Sequence, residues 1–166
     1  MQDFVHLHVH TQYSLLDGQA SVARLVDKAM QNGMKGIAVT DHGNMFGIKE
    51  FTNYVNKKNS GPKGEVKDLK KRIAGIEAGT IECADKEAEI AACKAKIVEA
   101  ENKLFKPVIG CEMYVARRTM DLKEGKPDQS GYHLIVLAKN EKGYHNLIKL
   151  VSHAWTRGYY MRPRTD

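Results

Sequence analysis

Apolar and polar positions alternate from Phe4 to His10. Phe4, His6, His8 and His10 fall on one side and Val5, Leu7 and Val9 on the other, which is the period of a β-strand. After an Asp17-Gly18 turn, Ser21 is a good N-cap. Val22, Leu25, Val26, Ala29 and Met30 then recur at helical spacing until Gly33, the clearest amphipathic helix in the chain. The short apolar run Gly36 to Thr40 reads as a buried strand that empties into a loop, Asp41-His42-Gly43-Asn44. A second helix is expected over about Ile48 to Lys57. Pro107 to Ala116 and Tyr132 to Lys139 read as strands, and Glu141 to Trp155 as a last amphipathic helix. The order βαβα followed by ββα predicts an α/β fold with a largely parallel sheet.

Residues 63–105 follow a different rhythm. Val66, Leu69, Ile73 and Ile76, and then Ile90, Cys93, Ile97, Ala100 and Leu104, step by three and four, as heptad stripes do. Gly75, Gly79 and Thr80 are poor helix-interior residues, so the segment is expected to break near Gly79 and fold back as an antiparallel helical hairpin inserted into the α/β domain. Its charge is nearly balanced, which suits a solvated insertion. A docking arm for a partner is the alternative.

Composition narrows the class. The chain has 166 residues, 42% hydrophobic and 28% charged, enough for one domain with a buried core and too few for two large ones. Its longest apolar stretches, such as Leu134 to Ala138, are about five residues against the roughly 20 that span a bilayer, so no membrane contact is expected. No signal-like segment opens the sequence, and a cytoplasmic location follows by default. Three cysteines, with no Cys-x-x-Cys pair, argue for free thiols. The net charge of +6 is concentrated late: residues 117–166 carry ten Lys and Arg against five Asp and Glu. That bias fits a polyanion such as nucleic acid, and equally a solvated surface.

The histidines carry the chemistry. Two imidazoles at i and i+2 on one strand face, His8 and His10, project in parallel and can share a metal ion or serve two neighbouring ones. They lie at the C-terminal end of their strand, where parallel α/β folds place their sites. His6, deeper in the strand, is read as a structural neighbour. His42 follows the end of the next strand. Glu112 interrupts the apolar run VIGCEMYV, where an unpaired carboxylate would be costly to bury and a cation would relieve the cost. His133 opens a further strand, and Asp17 precedes the turn after the histidine pair. This is a nitrogen and oxygen donor set suited to Zn²⁺, Mn²⁺ or Fe in a multinuclear hydrolytic site, a type that favours phosphate ester cleavage.

The segments FVHLHVHTQYSLLDG, GIAVTDHGNMFG, KPVIGCEMYVA and YHLIVLAKNEKGYHNLIKLVSHAWTRGYY together resemble successive motifs of the polymerase and histidinol phosphatase (PHP) domain, in the version that opens the alpha subunit of bacterial DNA polymerase III. The similarity covers nearly all of the chain except 63–105. It implies a distorted seven-stranded β/α barrel, of which this chain would form an N-terminal part. It places the family's divalent metal ligands (Zn, Mn, Fe or Mg) on His8, His10, Asp17, His42, Glu112 and His133. Further family ligands, including an Asp-x-His pair, would lie beyond Asp166, so the site here is expected to be partial and the isolated chain inactive.

The resemblance further implies a fragment of a replicative DNA-directed DNA polymerase whose partners are the rest of the alpha chain, DNA, and the proofreading and clamp subunits of the replicase. Its PHP module would be a metal-dependent phosphoesterase working as a 3′ to 5′ proofreading exonuclease. The alternative is a structural module that stabilises the polymerase or docks a separate proofreading subunit. A free-standing histidinol phosphatase would fit the metal ligands but not the stretch GYHNLIKLVSHAWTRGYY.

Overall fold

Ser21 begins the first helix as read: its hydroxyl accepts the Arg24 N–H, and α1 runs Val22–Gln31 with Gly33 beyond its end at φ +75°. A computed structural model describes residues 4–129 and 131–166. These divide into two units, one made of the chain up to Tyr54 together with Lys106 onward, the other Val55–Phe105.

The first unit is a mixed sheet with helices. Its strands are β1 (Gly36–Val39), β2 (Lys106–Ala116), β3 (Gly131–Leu137), β4 (Tyr159–Tyr160) and β5 (Arg162–Thr165). β2 organises the rest. It pairs parallel with β1 from Gly36↔Lys106 to Val39↔Ile109, parallel with β5 at Tyr114↔Arg164 and Val115↔Thr165, and antiparallel with β3 from Gly110↔Leu137 to Ala116↔Gly131. β4 and β5 form an antiparallel pair. The α/β expectation holds, but the sheet is open and mixed rather than largely parallel, since β3 pairs antiparallel with β2 and β4 antiparallel with β5.

Period-2 geometry then sorts β2 by face. Cys111 and Met113 pack with Leu147, Val151 and Ala154 of the last helix (Glu141–Thr156) in one buried cluster. Glu112 and Tyr114 point the other way. On the neighbouring strand, His133 stands opposite Tyr114 and diagonal to Glu112, so the three share that second face.

The expected first strand, Phe4 to Val9, is not a regular ladder. The segment runs beside β1, with Ala38 N–H donating to His6 O at 2.8 Å and Thr40 N–H donating to Val9 O at 2.9 Å. Three residues on one side thus answer two on the other. The extra residue is absorbed at a bend at Leu7, and the Thr40 hydroxyl takes the Val9 N–H that a regular pairing would have used (3.0 Å).

The second unit holds two long helices, α3 (Ser60–Glu77) and α4 (Lys86–Asn102), after α2 (Ile48–Lys58), within which the division between units falls. α5 (Lys126–Gln129) and α6 (Glu141–Thr156) belong to the first unit. The stripe positions Val66, Leu69, Ile73 and Ile76, then Ile90, Cys93, Ile97 and Ala100, are all covered, and only Ile76, Cys93 and Ala100 are fully buried in these two helices. The break falls at residues 78–85, with Gly79 at φ +72°. α3 opens at Ser60, three residues before the expected start of the helical segment at 63.

Candidate metal centre

Glu112 is the hub. Its side chain is 7% exposed and both carboxylate oxygens face imidazoles: His10 Nε2 lies 2.6 Å from Oε2 and His133 Nδ1 2.7 Å from Oε1. His8 Nε2 is 3.5 Å from Oε2, and His42 Nε2 3.7 Å from Oε1. Asp17 Oδ2 contacts His10 Nδ1 and lies 3.5 Å from His42 Nδ1. All six residues singled out as ligands are therefore brought together. They come from four separate stretches of chain.

Local structure sets each one. His42 is bridged to Glu112 in a parallel sense, continuing the line of β1 along β2. Gly43 next to it has φ +68°, and a Cβ there would come within 2.8 Å of Pro163 and 3.1 Å of the Tyr114 ring, so the turn carrying His42 requires glycine. Tyr114 stacks on His42 with centroids 4.2 Å apart and planes 14° from parallel. The Thr40 hydroxyl lies 3.1 Å from His8 Nδ1, which leaves His8 Nε2 to face Glu112.

Asp41, fully buried, accepts the Thr11 N–H at 2.6 Å and the Thr11 hydroxyl at 2.9 Å, fixing the exit of the histidine segment. Thr40 and Tyr114 were not singled out from sequence, and Asp41 was marked only as the start of the loop that carries His42. Tyr114 carried a signal, since it sits two residues after Glu112 on the same strand face. Thr40 and Asp41 act through side-chain bonds to His8, Val9 and Thr11, some 30 residues away, that no spacing announces.

The electrostatics of the cluster would suit a cation. Burial pushes the Glu112 carboxyl up, but the His133 hydrogen bond, the nearby His42 and the His10 contact outweigh it and hold Glu112 below the usual range. Asp17 is likewise held low: desolvation is overcome by the Ser14 hydroxyl and by His10. Burial lowers the His42 pKa, favouring the neutral imidazole that a metal needs. Burial also pushes the Cys111 thiol up to about 12, so no thiolate competes in this donor set.

Among the described residues, buried His42 Nε2 has no hydrogen-bond partner, leaving an unsatisfied lone pair or N–H aimed into the cluster. Two triads, His8–His10–Glu112 and His42–Glu112–His133, each bring their donor atoms within 4.8 Å of one another. The remaining histidines lie elsewhere: His6 is exposed and edge-on to Phe4 at 4.7 Å, His145 is 3.8 Å from Glu141 of its own helix, and His153 is exposed in the last turn of α6.

The family model of the PHP domain matches residues 6–166. The chain belongs to the PHP domain family. It is similar to the DNA polymerase III subunit alpha of Borreliella burgdorferi, 40% identical over 166 residues that cover 98% of this chain and 10% of that protein. The protein of the same name from Treponema pallidum is 39% identical over 164 residues, with the same two shares. That of Aquifex aeolicus is 33% identical over 171 residues, covering 99% of this chain and 11% of the relative. This PHP domain thus spans about a tenth of the length of the curated relatives it matches. Among the described residues, no helix is long and apolar enough to cross a membrane.

Proposed function

We propose that this PHP domain is the metal-dependent phosphoesterase module of a DNA polymerase III alpha subunit, acting there as a 3′ to 5′ exonuclease on DNA. The convergence of four imidazoles and Asp17 around the buried Glu112 carries the reading. His8, His10 and Glu112 would hold one divalent ion and His42, Glu112 and His133 a second, with Asp17 between His10 and His42. The donors fit such ions: all are nitrogen or oxygen, and the unpartnered His42 Nε2 is the atom that a cation would satisfy. Zn, Mn, Fe and Mg all accept this set. Bound there, divalent ions supply Lewis acidity toward a phosphoryl oxygen and an activated water at neutral pH.

The chain's own groups prepare the site. The Thr40 hydroxyl orients His8, Asp17 orients His10, and Tyr114 holds the His42 ring by stacking. His8 and His133 are each half exposed, so the chain alone does not exclude water around a scissile phosphate, and its hydrolytic activity is correspondingly small. In this reading the six ligands work within a larger replicative polymerase of the cytoplasm, alongside DNA and the proofreading and clamp subunits, and the helical unit is an insertion that takes no part in the chemistry.

Calorimetric titration with Mn²⁺ and Zn²⁺ tests the metal assignment. The chain should bind, and His10→Ala and Glu112→Gln should each weaken binding at least about tenfold with circular dichroism unchanged. Absence of binding by the parent chain would overturn the phosphoesterase reading in favour of a docking module. Strong chelator-sensitive hydrolysis of single-stranded DNA by the parent chain, abolished in His10→Ala, would overturn the claim that the chain alone is nearly inactive.

A further inference from the structure

Beside the imidazole cluster lies a cleft of about 380 Å³ that shares Asp17 and His42 with it. Five of its thirteen lining residues are aromatic, against 7% of the chain as a whole. Three of them form a continuous wall. Tyr159 stacks on Trp155 with centroids 5.6 Å apart and planes 21° from parallel, and Phe46 stands 6.1 Å from Trp155 on a tilt. The indole is fixed in place, because its Nε1–H donates to Gly43 O at 2.8 Å.

The wall nevertheless faces solvent: Phe46 is 63% exposed, Trp155 43% and Tyr159 48%. Side chains of this size and rigidity are normally buried, and such a patch marks a binding surface. Leu16 and Met161, also in the lining, adopt the left-handed backbone region at φ +63° and +62°, an unfavourable conformation that functional loops retain.

The cleft also carries a free cation. Arg118 and Arg157 are engaged by Asp128 and Asp121, whereas the exposed Arg162 has no carboxylate partner among the described residues. Its guanidinium carbon lies 5.7 Å from the Tyr114 ring centroid, and Tyr114 in turn stacks on His42. An aromatic wall, an unpaired guanidinium and a cation-ligand cluster thus line one space. A nucleobase offers a π-face to the first and its phosphate an anion to the other two. An apolar protein segment would satisfy the wall but leave Arg162 without a counterpart.

We infer that this cleft binds the terminal nucleotide of a single-stranded polynucleotide, with the base against Trp155, Tyr159 and Phe46 and the phosphate between Arg162 and the His42 side of the cluster. What happens to that phosphate rests on the phosphoesterase reading; the binding itself does not. Stacking reads no base edge, so the preference is for single strands without regard to sequence.

Trp155 is the only tryptophan in the chain, so its fluorescence reports on the cleft alone. The probe is tetrathymidylate, titrated in EDTA and again with Mn²⁺, beside ribose 5-phosphate and inorganic phosphate. Tetrathymidylate should quench Trp155 saturably in both buffers, while the two base-free phosphates do not. Tyr159→Ala should weaken binding roughly five- to a hundredfold, the range for one lost base–aromatic stack. Phe46→Ala, at a largely exposed position that leaves the fold intact, should do the same, and Arg162→Gln should weaken binding and flatten its salt dependence.

No saturable quenching, equal response to inorganic phosphate, or folded Phe46 and Arg162 variants within twofold of the parent would overturn the inference. Mn²⁺ binding without tetrathymidylate binding defeats this proposal alone. Tetrathymidylate binding in EDTA by a chain that binds no Mn²⁺ supports it and defeats the metal reading.

Discussion

Replacing Asn59 should open the helical unit at its base. Asn59 is 5% exposed; its Nδ2 donates to Phe105 O at 2.8 Å, and its Oδ1 accepts the Phe105 N–H at 2.9 Å. One amide side chain thus satisfies both backbone groups of a residue 46 positions away. Asn59→Ala removes both bonds and strands a buried N–H and a buried C=O. Each such orphan costs about 1–3 kcal/mol, so after some water enters the vacated space the loss should be about 2–4 kcal/mol. Asn59→Asp keeps the acceptor but sets a carboxylate against the Phe105 carbonyl. At neutral pH it should be at least as damaging, and it should recover in part in mild acid, where the protonated carboxyl can again donate.

Because the chain has two units, a single unfolding midpoint is a poor gauge of a local change, and hydrogen exchange by mass spectrometry is the better assay. Peptides from α3 and α4 should exchange faster by the factor that this free energy sets, while those from β2 and β3 keep their protection. Exchange in α3 and α4 unchanged in Asn59→Ala would refute the view that this clasp closes the unit.

Excising Ser60–Leu104 and linking Asn59 to Phe105 through two glycines should leave the sheet unit folded, judged by its near-ultraviolet dichroism and its Mn²⁺ affinity. Loss of both would show that the helices are part of its core. Met113→Ala, at a 2% exposed position in the cluster under α6, should cost about 2–5 kcal/mol and lower the melting temperature of the sheet unit by roughly 4 °C per kcal/mol. A shift under one degree would mean that the cluster is not the core. The Asp128 carboxyl is held below its ordinary value of 3.8, chiefly by hydrogen bonds from Arg118 and then against its own desolvation, with the Glu124 N–H assisting. Its contribution is therefore present above pH about 4 and lost as pH falls through the lower folded value. Asp128→Asn should flatten the acid limb of the stability profile, and an unaltered limb would remove Asp128 from the account.

Glu112 shows why the clustering of the candidate site could be read from sequence. In VIGCEMYV every second residue belongs to one face, and a carboxylate among apolar neighbours needs a cation or strong donors opposite. Cys111 and Met113 do enter the core beneath α6, while Glu112 meets four imidazoles on the other face. The helices were legible for a similar reason, since Ser21 and the stripes from Val66 to Leu104 carry their own caps and spacing. The irregular path of Leu7 to Val9 was not, because it depends on a hydroxyl of Thr40 that displaces a backbone partner, and alternation of residue types records only which side a side chain takes.

Pairing direction was lost on the same ground. A period of two is common to parallel and antiparallel strands, yet it is the antiparallel register of β2 with β3 that sets His133 diagonal to Glu112 and opposite Tyr114. The aromatic cleft lies further still from any local pattern. Phe46 precedes α2, Trp155 lies in the last turn of α6, and Tyr159 is in a two-residue strand, so no period links them. Trp155 is placed by the packing of α6, through Leu147, Val151 and Ala154, on the Cys111 and Met113 face of β2, together with the bond from its indole to Gly43 O beside His42, and Phe46 and Tyr159 gather around it. The residues that bury the core thereby also hold Trp155 beside His42. Loosening that packing should disturb nucleotide binding before it disturbs any ligand of the cluster.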